Sequence, residues 1–194
     1  MRASLLISLT LLLTGCAREP GGSTRTQDHA LSTPGLARLL AAIPAGQGPS
    51  YGLPTDMRLD KATLGRRYRM LTPRLPGRGT WEEMVAPLDV WRAPLILEGE
   101  HLALVTLAVQ QGRLQAVELG AAAPARELKA LEPSLPPGEV GILRVYGLAG
   151  DFLITGHGAR RRGIPLASAR AALELLPEPL SGAALLDLLA EMDL

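Results

Sequence analysis

The chain has 194 residues, of which 47% are hydrophobic and only 3% aromatic, so leucine, valine, isoleucine and alanine must form most of any core. Twenty basic and nineteen acidic residues leave a formal charge of +1. That balance argues against a nucleic-acid partner, because general nucleic-acid binders carry a clear basic excess. The single cysteine excludes an intramolecular disulfide.

The chain starts with a short apolar leader that ends at this cysteine. Arg2 supplies a positive charge, and the apolar run after it is about half of the ~20 residues that a membrane-spanning helix needs. The run closes on Leu13-Thr14-Gly15-Cys16. A leucine, a small residue and a glycine directly before a cysteine resemble the lipobox of bacterial lipoproteins. The resemblance covers only the first 16 residues.

The resemblance implies a membrane anchor. Residues 1–15 are then a lipoprotein signal peptide, and Cys16 carries a diacylglycerol and a further acyl chain such as palmitate. Several acyl chains anchor a protein to a membrane more firmly than a single acyl chain does. Ala17, unlike an aspartate at that position, does not specify retention in the inner membrane. The protein is expected in the cell envelope, at the outer membrane, facing the periplasm or the cell surface.

Composition predicts two segments after the leader. Residues 16–33 include His29 and are rich in glycine, serine, threonine, arginine and glutamine, which predicts a flexible tether. A coil of this length spans about 20–25 Å, so the folded part of the chain should lie close to the bilayer. Residues 34–194 are predicted to form a single globular α+β domain, since their number suits one core.

The first elements predicted in this domain are a helix and a strand. A helix is predicted over residues 34–43, because four apolar side chains recur on one face: Leu36, Leu39, Leu40 and Ile43. Prolines and glycines then predict a loop. Residues 66–72 alternate basic and apolar side chains, as a half-buried strand does.

The most regular part of the sequence is a series of three β-rich runs, Val90–Leu97, Leu102–Gln110 and Arg113–Leu119. Short glycine-containing separators of hairpin length lie between them, which predicts a three-stranded antiparallel meander. The middle run is apolar on both of its faces and is predicted to be a central strand that is covered on both sides.

Shorter elements are predicted in the C-terminal half: a helix over Pro124–Leu131, a hairpin of Val140–Tyr146 with Asp151–Thr155, and a short strand over Gly163–Leu166. Ser168 and Ser181 are predicted N-caps of two terminal helices, the first of which ends at Leu176. The predicted fold is α+β, with a mainly antiparallel sheet of five or six strands, a meander plus a hairpin, packed with short helices.

The stretch from Arg58 to Arg92 is locally positive, with eight basic and four acidic residues. One interpretation is a solvated strand face with loops, because mixed surface charge is common. The other is a patch for anionic headgroups, lipopolysaccharide or a polyanionic wall component. Trp81 within this stretch is predicted to be a core or rim aromatic rather than a platform for a ligand.

Enzyme motifs are mostly absent from the sequence. The chain contains no nucleophile elbow, no zinc-protease helix, no phosphate loop and no dinucleotide fingerprint. The histidines are spread over the tether (His29), a predicted hairpin turn (His101) and a loop (His157), which is not the spacing of a metal site. Neither a metal nor a cofactor is expected.

One loop carries residues with chemical potential. In Gly156-His157-Gly158-Ala159, glycines flank a histidine, and Arg160, Arg161 and Arg162 come directly after it. Such a loop is compatible with a plain exposed turn. It is also compatible with an anion held by backbone N–H groups and guanidinium groups. His157 is a weak candidate for a catalytic base, with Asp151 as the residue that would orient it.

The sequence therefore favours a non-catalytic binding or interaction module of a lipid-anchored envelope protein, whose partner is an envelope protein or an anionic envelope polymer. The alternative is a small envelope hydrolase or anion-binding enzyme that uses the Asp151 and His157 loop. A third possibility is a structural envelope protein without a discrete ligand.

The anchor can be tested at Cys16. We expect Cys16→Ser to abolish labelling by radioactive palmitate, because the thiol that accepts the lipid is gone, and to leave the protein unprocessed or soluble. The measurement is metabolic labelling followed by fractionation of membranes. Labelling that survives the substitution would contradict the lipobox interpretation.

Overall fold

The computed structural model of the chain describes residues 35–44, 46–54, 61–74 and 78–192. The predicted signal peptide and tether, with Cys16 and His29, lie outside the described residues. Within them, nine strands form one sheet, and five α-helices lie around it.

The strands are β1 (Thr63–Leu64), β2 (Tyr68–Pro73), β3 (Val85–Leu97), β4 (Glu100–Gln110), β5 (Arg113–Gly120), β6 (Gly141–Val145), β7 (Gly150–Thr155), β8 (Arg162–Pro165) and β9 (Leu180–Ser181). The α-helices are α1 (Leu36–Ala41), α2 (Trp81–Met84), α3 (Ala122–Leu131), α4 (Ala167–Leu173) and α5 (Gly182–Glu191). Short 3-10 turns occupy Gly48–Tyr51, Glu132–Ser134, Tyr146–Leu148 and Gly158–Arg160.

The sheet runs in the order β5-β4-β3-β2-β6-β7-β8-β9, and β1 pairs with β3 beside this path. The predicted α+β class is confirmed, but the predicted size of five or six strands is wrong. Two of the additional strands, β1 and β9, have two residues each, which is too short to leave an alternating pattern in the sequence. The sheet is also not purely antiparallel, because β2 and β6 run parallel.

The predicted meander is confirmed as β3, β4 and β5. Each of its two turns has two consecutive residues at positive φ, Glu98 with Gly99 and Gln111 with Gly112, as a type I′ turn requires. Glycine adopts this conformation without strain, so its place in each turn has a steric reason.

β4 is buried on both faces, as predicted for the middle run. Leu104 packs in an apolar cluster with Leu128 of α3, whereas Val105 packs on the opposite face in a cluster with Leu36 of α1. We call these two sides of the sheet the α3 face and the open face. The alternation of side chains along a strand explains how one strand contributes to both.

The predicted hairpin of the second half is confirmed as β6 and β7, and β8 pairs with the far side of β7. This half joins the meander through the parallel pair, in which Met70 of β2 lies opposite Ile142 of β6. Both side chains are buried on the α3 face together with Leu128, so α3 covers the join between the halves.

Ser181 is the N-cap of α5, as predicted. Its Oγ accepts a hydrogen bond from the Ala184 N–H at 3.1 Å. On the open face, Leu185 and Leu189 of this helix are buried in a cluster with Ile154 of β7. α5 therefore covers the C-terminal half of the open face.

The prediction for α4 is wrong in two details. The helix ends at Leu173, before the predicted Leu176, and Ser168 lies within its first turn rather than at its N-cap. The Ser168 hydroxyl accepts instead from the Asp151 N–H at 3.0 Å. The carboxylate of Glu127 in α3 accepts from the first N–H of α4 at 2.9 Å and takes the capping role, which only the tertiary structure reveals.

The role of α3 can be tested by comparing the same leucine-to-alanine substitution at a buried position and at an exposed position. Leu128 is 0% exposed, and we expect Leu128→Ala to lower the free energy of unfolding by about 2–5 kcal/mol, because it leaves a cavity beneath the helix. Leu176 is 73% exposed, and Leu176→Ala is the control, with an expected change within about 0.5 kcal/mol. Urea unfolding measures both, and equal effects would contradict the described packing.

Candidate functional site

The open face has a gap between two apolar clusters. Trp91 of β3, Arg69 of β2, Gly141 of β6 and Ile154 of β7 lie side by side across four adjacent strands, because each neighbouring pair is in register. Trp91 packs against the cluster that includes α1, and Ile154 belongs to the cluster that includes α5. Arg69 and Gly141 lie between the two clusters and line a cavity of about 330 Å³, which we call the cleft.

Gly141 keeps the floor of the cleft open. A Cβ atom at this position would lie 3.0 Å from Leu71 Cδ1 and 3.1 Å from the Arg69 carbonyl oxygen, closer than most contacts of real side chains. Leu71 and Pro87 lie opposite each other on β2 and β3 and continue the floor. The floor is therefore apolar, and it lacks a side chain beside Arg69.

α2 forms one wall of the cleft and is held by a capping box. The Glu83 carboxylate accepts from the Thr80 N–H at 2.8 Å, and the hydrogen bonds from Thr80 lower the pKa of Glu83. This single helical turn places Trp81 and Glu82 at the cleft. Trp81 is half-buried there, as predicted for a rim aromatic.

Arg161 lies across this wall. Its guanidinium carbon is 4.3 Å from the centre of the Trp81 ring, and its Nη2 is 3.5 Å from Glu82 Oε1. The side chain of Arg161 is only 15% exposed, whereas that of Glu82 is 76% exposed. The guanidinium, which lies over the indole ring, is therefore much less exposed to solvent than the carboxylate of Glu82.

Arg69, which lines the cleft beside Gly141, is held in a similar way. Its guanidinium lies 5.7 Å from the centre of the Trp91 ring, and its Nε donates to the Leu88 carbonyl oxygen at 3.2 Å. Its Nη2 is 3.5 Å from the exposed carboxylate of Asp89. The chain has two tryptophans, and each one lies beneath an arginine of the cleft.

The loop singled out in the sequence contributes to the cleft only in part. Gly156 and Gly158 both have positive φ, and a Cβ atom at Gly156 would lie 2.4 Å from the Arg160 carbonyl oxygen, so that position requires glycine. His157 is exposed and lines the cleft. The backbone N–H groups of Arg160 and Arg161 donate within the loop, to His157 and Gly158, and are not directed at a ligand.

The three consecutive arginines have different positions. Arg161 lines the cleft. Arg160 is exposed outside it. Arg162 begins β8 and donates through Nη1 to the Ala159 and Arg161 carbonyl oxygens. Of the predicted anion-binding residues, only Arg161 therefore lines the cleft together with other basic side chains.

The structure does not bring Asp151 and His157 together. Asp151 is buried near the start of β7, whereas His157 lies just beyond the opposite end of that strand. The strand between Asp151 and Thr155 alone spans about 13 Å at roughly 3.3 Å per residue. The Asp151 carboxylate accepts from Arg144 Nη1 at 3.1 Å and lies 3.8 Å from Arg92 Nη1. Burial raises the pKa of Asp151, although Arg144 and Arg92 pull it in the other direction.

His101 is not in a hairpin turn, as the sequence suggested, but within β4. It is 5% exposed, and its Nε2 lies 3.5 Å from Glu132 Oε2. The Tyr68 hydroxyl donates to the other carboxylate oxygen of Glu132 at 3.1 Å. Burial and then the Glu132 charge raise the pKa of Tyr68 far above its ordinary value. The register shift in the β3–β4 pairing beside His101 turns it towards α3, which sequence alternation cannot reveal.

Sequence reasoning does not single out Arg69, Arg74 or Glu139, although all three line the cleft. The excess of basic residues between Arg58 and Arg92 is the one signal for the two arginines. Their position depends on the pairing of strands that are distant in sequence.

Two further properties concern the described residues alone. None of their helices is long and apolar enough to cross a membrane. They also contain no group of three or more histidine, cysteine, aspartate or glutamate side chains arranged to hold a metal ion.

Comparisons of the chain with protein-family models, with curated proteins and with solved structures found no match.

The buried Asp151 predicts a measurable stability effect. We expect Asp151→Ala to lower the free energy of unfolding by about 1–3 kcal/mol, because Arg144 loses its hydrogen-bond acceptor and Arg92 loses its ionic partner. Asp151→Asn keeps one oxygen acceptor and should cost less.

The wild type and Asp151→Asn should also differ in pH dependence. Because the pKa of Asp151 is raised in the folded state, the folded protein binds this proton more readily than the unfolded chain. The contribution of Asp151 to the free energy of unfolding is therefore largest at pH values below the ordinary pKa of aspartate. It falls as the pH rises through the raised pKa of the folded state. As the pH rises from about 3 to about 7, urea unfolding should show that the wild type loses stability relative to Asp151→Asn. A constant difference would contradict the burial argument.

Proposed function

We propose that this protein is a lipid-anchored component of the cell envelope whose domain is non-catalytic and binds a ligand through an anionic group in the cleft. The observation that carries the binding function is the pair of arginines, Arg69 and Arg161, whose guanidinium groups lie 5.7 Å and 4.3 Å from the ring centre of a tryptophan beside one cavity. The anchor is supported by the resemblance of Leu13-Thr14-Gly15-Cys16 to a lipobox.

A cation–π contact is a suitable way to hold an arginine for a ligand. An indole face attracts a guanidinium without using its N–H donors. Arg69 uses its Nε for the Leu88 carbonyl oxygen, and the Nη donors of both arginines are the groups that would bind a carboxylate or a phosphate. The carboxylates near these arginines, Glu82 and Asp89, are largely exposed and 3.5 Å away. Exposed ion pairs of this kind are weak, so an anionic ligand can replace them at low cost.

A binding role is supported better than the hydrolase alternative. Asp151 is bound to arginines on the α3 face, at the far end of β7 from His157, so the proposed orienting contact is missing. His157 at the rim of the cleft serves equally as a donor to an anion. The anion-binding part of the alternative is therefore retained without the catalytic step.

The proposal can be tested by tryptophan fluorescence, because both tryptophans lie beneath arginines of the cleft. We expect citrate, as a tricarboxylate probe, to change the emission in a saturable way. Arg161→Gln should weaken this binding about tenfold or more, as the loss of a charge-assisted contact of about 1.5–3 kcal/mol implies.

Arg160→Gln is the matched control, because Arg160 is the exposed neighbour that does not line the cleft. It should leave the citrate affinity unchanged within about twofold. Equal weakening by the two substitutions would show a general charge effect and contradict the site. A lack of any saturable change with citrate or phosphate would contradict anion binding in the cleft.

A further inference from the structure

Charges of both signs come together at one end of the cleft. Arg69 lies opposite Gly141 in the parallel pair of β2 with β6. The registers of β6 with β7 and of β7 with β8, continued past the strand ends, place Glu139, Gly156 and Arg161 in the neighbouring row of the same face. Strands are about 5 Å apart and such rows about 7 Å apart, so the Cα atoms of both arginines lie within about 10 Å of that of Glu139.

Glycine separates these charged side chains. Glu139 and Arg161 lie on either side of Gly156, which has no side chain to stand between them. His157, the exposed residue after this glycine, also lines the cleft. A small ligand above Gly156 can therefore contact the carboxylate and a guanidinium at the same time.

The two carboxylates of the cleft differ in their partners. Glu82 Oε1 lies 3.5 Å from Arg161 Nη2. None of the ion pairs between described residues includes Glu139, which is exposed. A ligand with negative groups alone would be repelled by Glu139, because like charges at a binding site oppose each other. A ligand with a positive group next to its negative group would satisfy both the arginines and Glu139.

An apolar floor begins directly beside this charged end. Leu71 lies two residues after Arg69 on β2, opposite Pro87 of β3, and Ile154 of β7 lines the same cavity. Arg74 lines the cleft beyond this apolar part, just after the end of β2. The volume of about 330 Å³ is at the lower end of the range for small-molecule pockets, about 300–1,000 Å³. The cleft therefore fits a compact molecule with two opposite charges at one end and an apolar group beside them.

We propose that the ligand is a free α-amino acid with an apolar side chain. The Nη groups of Arg69 and Arg161 donate to its carboxylate, and its ammonium group donates to Glu139. Its side chain lies over Leu71 and Ile154. One carbon atom joins the two charged groups of an α-amino acid, whereas an internal peptide residue has neither charge and each peptide terminus has only one. This inference rests on the proposed anion-binding function of the cleft and specifies its ligand class.

The test is isothermal titration of the full chain with leucine, valine and phenylalanine, followed by analogues of the one that binds most tightly. Its N-acetyl derivative lacks the ammonium group, and its amide lacks the carboxylate. Glycine lacks the side chain, and glycerophosphoethanolamine is a compact zwitterion without an apolar side chain. We expect the intact amino acid to bind at least fivefold more tightly than each of these four compounds.

The decisive variant is Glu139→Gln, with Glu178→Gln as an exposed control outside the cleft. Glu139→Gln should weaken binding of the amino acid at least threefold and leave the N-acetyl derivative unchanged or tighter, whereas Glu178→Gln should change neither. If the wild type binds citrate but no amino acid, or binds the N-acetyl derivative or glycerophosphoethanolamine as tightly, the amino-acid proposal is overturned and the anion-binding function stands. Failure of every anionic probe, citrate included, would instead remove the proposed function itself.

Discussion

The parallel pairing of β2 with β6 is the interaction on which the rest of the structure depends. Without it, the meander half and the hairpin half of the sheet would have no common strand neighbours among the described residues. Tyr68 and Ile142, one from each of these strands, are buried together beneath α3, so the apolar cluster on that face stabilises the join. On the opposite face the same pairing brings Arg69 beside Gly141 and thereby creates the cleft.

Elements with local signals were predictable from the sequence. The turns at Gly99 and Gly112, with their positive φ, identified the meander, and the serine at Ser181 identified the start of α5. The β2–β6 pair had no such signal, because parallel neighbours are linked by long crossovers that leave no turn chemistry. The capping of α4 by Glu127, a residue of another helix, is equally non-local. The strands β1 and β9 have two residues each, which is too short to show an alternation of apolar and polar side chains.

The candidate site was predictable to a smaller extent. The glycines around His157 marked an unusual loop, and the excess of basic residues up to Arg92 marked a positive region. These two observations concern segments that are far apart in the sequence, and no sequence pattern indicates that they lie close together. The sheet connects them, since Arg161 lies in the loop after β7 and Arg69 lies in β2, with only β6 between those strands. What separates Asp151 from His157 is likewise the extended geometry of β7, which sequence proximity conceals.

The two faces of the sheet use their arginines differently. Arg144 on the α3 face stacks on Tyr146, but its Nη1 also donates to both oxygens of the buried Asp151, so its charge is neutralised. Arg161 on the open face has only an exposed carboxylate at 3.5 Å beside its stacking on Trp81. A buried ion pair is costly to break, whereas a stacked guanidinium with an exposed partner can exchange that partner without moving. The second arrangement favours the reversible binding of an anion that we propose for the cleft, and it is found on the open face.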